Sequence, residues 1–124
     1  MHIPPQHQGL MPYLVLNNAA AFTRFTQNVF NAAITVTQKR ENSELYMHCE
    51  LQVNGQTIMY CDATPEWPPA TAHLFVYTEN ADDSFHKAIA AGATVVMELR
   101  NEPYGRTCGV TDPCGNTWWI TSVL

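Results

Sequence analysis

Apolar and polar residues alternate along this chain in short runs, and twice the spacing changes to three or four residues, so the pattern predicts strands interrupted by two helices. Residues 10–16 read as a strand, and Pro12, which lacks a ladder donor, suits an edge or a strand start. Asn18 is placed to cap a helix over 19–30, where Phe22, Phe25, Val29 and Phe30 fall on one stripe; Asn31 can end it in the left-handed conformation. Extended segments follow at 34–39, 45–53 and 56–61. Between the last two, Asn54-Gly55 is a strong hairpin signal, because both central residues of such a turn take positive φ. Residues 62–70 carry three prolines and little periodicity and read as a connection.

The same order then repeats. Residues 72–77 form a strand, Asn80 caps a helix through residue 91, Asp82 and Asp83 suit its positive end, and Gly92 stops it. Extended segments at 94–99, 104–111 and 117–123 follow, the last two joined by the turn at 112–116. The two halves superpose at an offset of about 60 residues, a period that calls for a repeat reading. The predicted class is α+β: two βαβββ modules at 10–62 and 72–124, a linker at 63–71 and a loose arm without periodicity at 1–9. Each sheet covered by one helix leaves its other face free, and two such faces curling toward each other would make a cleft.

Composition narrows the partners. Six Lys and Arg against eleven Asp and Glu leave a net charge of −5, which offers no cationic footprint for nucleic acid. Charged residues make up 14% of the chain, below the roughly 25% of an average soluble domain, so a second subunit is expected to cover part of the surface and a homodimer is the economical reading. No apolar run approaches the roughly 18 residues of a membrane span. The four cysteines show no C-x-x-C spacing and the first residues have no basic and apolar leader pattern, so reduced thiols and a cytoplasmic protein are expected.

Met11-Pro-Tyr-Leu-Val-Leu16, Arg24-Phe25, Val29-Phe30, Tyr46-Met-His-Cys-Glu-Leu51, the run from His86 to Val96, and Asp112-Pro-Cys-Gly-Asn-Thr-Trp118 appear in an order that resembles the vicinal oxygen chelate superfamily of glyoxalases, bleomycin-binding proteins, fosfomycin resistance enzymes and extradiol dioxygenases. The likeness is greatest to its PhnB-like branch. It implies a glyoxalase-like fold and, in metal-dependent members, ligands from the first, fourth, fifth and eighth strands. Here those positions carry Met11, Tyr60, His73 and Trp119, of which only His73 is a competent ligand, so no cofactor is expected. The branch's usual arginine stands one position early, at Arg106, and a one-residue move on a strand flips a side chain, so that role is not carried over.

Strand alternation puts Tyr46, His48, Glu50 and Gln52 on one side of the third strand, and Met47, Cys49, Leu51 and Val53 on the side facing the helices. Together with the inward positions that the resemblance implies, the expected cleft lining is Tyr13, His48, Glu50, Tyr60, His73, Phe75 and Trp119, with Trp67 and Tyr104 as a possible cap. Aromatic walls with two imidazoles and one carboxylate suit an amphipathic or planar small organic molecule, or else fill a core or a dimer seam. The expected function is metal-free binding or sequestration of such a molecule. The alternative is a metal-dependent lyase, isomerase or dioxygenase in which His48, Glu50 and His73 hold a divalent ion. The cysteines lack a paired cation or helix N-terminus and are expected to be structural.

Overall fold

A computed structural model describes residues 1–124. The order is β1 (Tyr13–Leu16), α1 (Ala19–Phe30), β2 (Ala33–Lys39), β3 (Tyr46–Val53), β4 (Gln56–Asp62), β5 (His73–Tyr77), α2 (Ala81–Ala90), β6 (Thr94–Glu102), β7 (Gly105–Thr111) and β8 (Thr117–Ser122). The strands form two four-stranded mixed sheets, β1-β4-β3-β2 and β5-β8-β7-β6, each with one parallel pair, β1 with β4 and β5 with β8. The two βαβββ modules are therefore present, and with them the α+β class.

The predicted turn chemistry is in place. Asn54 and Gly55 take φ of 53° and 74° in the β3–β4 hairpin, Asn31 closes α1 at φ 54°, and Gly92 follows α2 at φ 99°. Asn18 and Asn80 cap α1 and α2, accepting from Ala21 N and Asp83 N at 3.1 Å each. The repeat extends to hydrogen bonds. At the end of β4, Asp62 Oδ1 accepts from Ala19 N at 2.7 Å; at the end of β8, Ser122 Oγ accepts from Ala81 N at 3.1 Å. Each parallel strand pair thus ends on a side chain that satisfies an orphan donor of its own module's helix.

One hydrophobic core runs through both modules. Trp118 of β8 packs its ring on Phe22, Phe25 and Phe30 of α1, at centroid distances of 6.2, 6.4 and 4.6 Å. Its Nε1 donates to Asp112 Oδ2 at 2.8 Å, and the same carboxylate holds the 112–116 turn through Cys114 N and Asn116 N. No helix is long and apolar enough to cross a membrane.

Three local expectations are corrected. β1 begins at Tyr13 and not at residue 10, because Pro12 contributes only its carbonyl, which accepts from Met59 N at 3.0 Å. The ladder between β2 and β3 shifts register at Gln38/Lys39, so that Gln38 faces His48 while Lys39 faces Tyr46. Met47 is the extra residue of a bulge. It joins the face of Tyr13 and Cys61, while Tyr46, expected beside His48, packs against the core. The arm is also not loose. Gln8 pairs with the main chain of Thr57 in both directions, at 2.9 and 3.1 Å, and the Thr57 hydroxyl donates to the Gln6 carbonyl.

Candidate functional site

Each sheet turns one face to its helix and core, and the other face carries the candidate chemistry. On the first sheet, register sets Cys49 opposite Tyr60 and Glu50 opposite Met59, while Tyr13 also faces Met59. His48 and Glu50 therefore share Tyr13's side, as their spacing of two requires. Tyr13 OH lies 3.0 Å from His48 Nδ1, His48 Nε2 lies 2.7 Å from Glu50 Oε2, and His7 Nε2 from the arm lies 2.6 Å from Glu50 Oε1. An ionised carboxylate only accepts, so both imidazoles donate to it through Nε2, and a neutral His48 accepts the Tyr13 proton at Nδ1. The result is a chain running Tyr13, His48, Glu50, His7.

Glu50 retains 7% side-chain exposure. Burial pushes its carboxyl up, yet the hydrogen bonds and charges of His48 and His7 prevail and hold it below the ordinary glutamate value. The Tyr13 phenol is pushed up, first by burial and then by Cys61, against a smaller opposing pull from Arg40.

Tyr60 departs from the expected lining. It is fully buried on the opposite face, its ring 4.9 Å from Phe22 and its hydroxyl 2.5 Å from that of Thr23 on α1. The cause is register: Tyr60 pairs with Leu14 and Cys49, both core residues, so it belongs to the helix side. Desolvation raises its phenol further.

On the second sheet His73, Phe75 and Tyr77 of β5 stand opposite Thr117, Trp119 and Thr121 of β8. Trp119 Nε1 donates to His73 Nδ1 at 3.1 Å with the rings stacked at 6.0 Å. Trp119 lies flat over Gly109, where an added Cβ would meet its ring at 2.5 Å, so the bare glycine makes room for the indole. Phe75 meets Tyr77 edge-on at 5.3 Å and Tyr104 at 6.3 Å. Phe75, Tyr77 and Tyr104 remain 53, 53 and 54% exposed, so these rings form an open aromatic surface. Trp67 stands apart from them, exposed beside Tyr13 and Met47 on the first sheet.

The candidate ligand set His48, Glu50 and His73 is not assembled in the chain. His48 and Glu50 lie on one sheet and His73 on the other, and no group of three His, Cys, Asp or Glu side chains is arranged to hold a metal. No hydrogen bond or ring contact joins the Tyr13, His48 and Glu50 group to the His73 and Trp119 pair. At the positions that the resemblance points to, Tyr60 is sealed beneath α1 and the indole Nε1 of Trp119 is a donor only. These residues do not fit the metal centre of metal-dependent relatives.

Arg106 donates through Nε and Nη2 to Asp82 at 2.9 and 3.2 Å, beside the start of α2 and away from the aromatic face. All four cysteines are unpaired. Burial pushes the thiols of Cys49, Cys108 and Cys114 up to about 11, which keeps them protonated and unreactive near neutral pH. Residues 1–9 have no periodic pattern to show that His7 reaches Glu50, a contact 43 positions away in sequence. Tyr77 and Met47 are readable, the first from its parity with Phe75 and the second only once the bulge is known.

With two βαβββ modules, paired parallel strands and open sheet faces in view, the chain belongs to the glyoxalase/bleomycin resistance protein/dioxygenase superfamily, whose family model matches residues 10–120. A curated relative, the uncharacterized protein Mb0911c of Mycobacterium bovis, is 32% identical across 89% of this chain and 80% of its own length. Among solved structures, the PhnB protein of Bacillus cereus matches with a TM-score of 0.70 at 21% identity, over 94% of this chain and 100% of that one. TnmS3, an antibiotic-binding protein of Streptomyces sp. CB03234, matches at 0.68 and 15%, over 95% and 100%.

Proposed function

We propose that this protein binds and sequesters a small planar organic molecule on the face of its second sheet, as a homodimer in the cytoplasm. The observation that carries the reading is the open cluster of Phe75, Tyr77 and Tyr104 next to the hydrogen-bonded His73 and Trp119 pair. Exposed rings on a rigid sheet offer stacking surface at low entropic cost, and the imidazole supplies a polar anchor. That TnmS3, which shares the fold, is an antibiotic-binding protein is consistent with a small-molecule ligand. Four unpaired cysteines suit a reducing compartment. Apolar residues on the edge strands, Ile34 on β2 with Val95 and Val96 on β6, are exposed in one chain and are surface for a second copy to cover.

Acridine, a flat and largely neutral probe at neutral pH, tests the site. It should bind with one molecule per chain and raise Tm, and the double variant Phe75→Ala/Tyr104→Ala should weaken it about tenfold, from two stacking contacts of roughly 0.5–1.5 kcal/mol each. Equal affinity in the double variant would remove the aromatic face from the function. Sedimentation equilibrium tests the assembly: a dimer mass is expected, and a monomer at all concentrations rejects it.

A further inference from the structure

A separate cavity of about 470 Å³ opens on the first sheet, where Tyr13, Val15 and Cys61 meet Met47, Arg40 and Trp67. Apart from one cation its walls are aromatic, apolar or thiol. That cation has little to hold it within the chain. Arg40 Nη2 donates to the main-chain carbonyl of Asp62 at 3.0 Å, and its buried Nε has no hydrogen-bond partner. The carboxylate of the same Asp62 is already engaged, by Ala19 N at 2.7 Å and Tyr46 N at 2.6 Å, where it caps α1 and steers the entry to β3.

A guanidinium carries five N–H donors in a planar fork, so most of this one's capacity is unused by the protein. The sealed Nε is beyond a ligand's reach, so an incoming acid meets the Nη side of the fork, and the acceptor whose geometry matches that side is a carboxylate. Trp67 is 59% exposed although it sits at this cavity, which is the disposition of a wall waiting for a partner surface. The net charge of −5 repels anions in general, so any preference for an acid here must come from the local cation.

We propose that this cavity is a binding site for a small flat carboxylic acid, with its carboxylate on Arg40 and its apolar body against Trp67, Tyr13 and Met47. The site shares no residue with the aromatic face of the second sheet, so each can fail alone.

The full chain titrated with 2-naphthoate and with its uncharged analogue 2-naphthamide tests this at neutral pH. The acid should bind more tightly by on the order of tenfold, the advantage of a charge-assisted pair over a neutral one. Arg40→Gln should make the two affinities equal, and Arg40→Lys should keep part of the preference because it keeps the charge and loses the fork. Trp67→Ala, at a position 59% exposed, should weaken acid and amide alike. Equal binding of the two by the unaltered chain, binding of neither, a preference that survives Arg40→Gln, or a neutral Trp67→Ala would each overturn the proposal. Acridine binding should be indifferent to Arg40→Gln, which keeps this outcome distinguishable from failure of the aromatic face.

Discussion

Trp118→Ala should destabilise the fold by about 3–5 kcal/mol, the range for removing a large buried aromatic. Trp118 keeps 1% exposure, and its indole fills the space between β8 of the second module and three phenylalanines of α1 in the first. Truncation leaves a cavity where the modules meet, and it strips one charge-assisted donor from Asp112. Against a typical total stability of roughly 5–15 kcal/mol, the loss is a large share. Chemical denaturation should show a lower midpoint with an unchanged slope, and Tm should fall by roughly 10–20 °C. Trp118→Phe separates the causes: it keeps most of the apolar volume, loses the bond to Asp112, and should cost about 1–2 kcal/mol. A loss below 1 kcal/mol for the alanine variant would mean that the modules do not share their core through this residue.

Trp118 also illustrates what could be read before the structure. The turn before it, the caps at Asn18 and Asn80, the Asn54-Gly55 hairpin and the repeat all rest on local chemistry, in which a residue's own φ or side-chain oxygen does the work. Those signals located every element to within a few residues. The pairing of His48 with Glu50 was equally legible, because a period of two survives wherever the ladder is unbroken. What escaped was non-local. A single extra residue, Met47, reversed the parity of Tyr46, and alternation carries no information about where a ladder slips. The resemblance implies an inward Tyr60, yet its face is decided by which residues β1 and β3 set beside it. Arg40 lies outside any strand, and its unused guanidinium becomes visible only when the surrounding acceptors are counted.

The two faces divide the chemistry in a way that bears on function. The first sheet holds its polar groups in a closed chain, since each ring nitrogen named there has a partner within the protein, while the second sheet exposes rings with one polar pair. A ligand that stacks can reach the second face without displacing anything. On the first face the arm already occupies Glu50, so access beside Tyr13 comes from the Arg40 side.

That occupation gives the second large effect: Glu50→Gln should release the arm and cost about 1.5–3 kcal/mol at neutral pH. A carboxylate accepts from His7 and His48 at once, whereas a carboxamide presents one oxygen and one NH2, so one imidazole must change tautomer to accept from the NH2, and both bonds lose the charge that strengthened them. The magnitude is that of a hydrogen bond to a charged group, made in a nearly buried setting. With His7 freed, Gln6 and Gln8 are held only by their contacts to Thr57 and Gln52, and hydrogen exchange at the amide of Thr57, which donates to Gln8, should quicken. The pH dependence has a definite sign. The folded-state value of Glu50 is depressed, so its contribution is whole above the unfolded value of about 4.3 and is lost as the pH falls through the lower folded value. The gap in stability between the protein and its Gln variant should therefore still be present at about pH 5 and close in stronger acid. A gap that persists unchanged below the folded value, or an arm that exchanges at the same rate in both proteins, would show that the two histidines do not clamp this carboxylate.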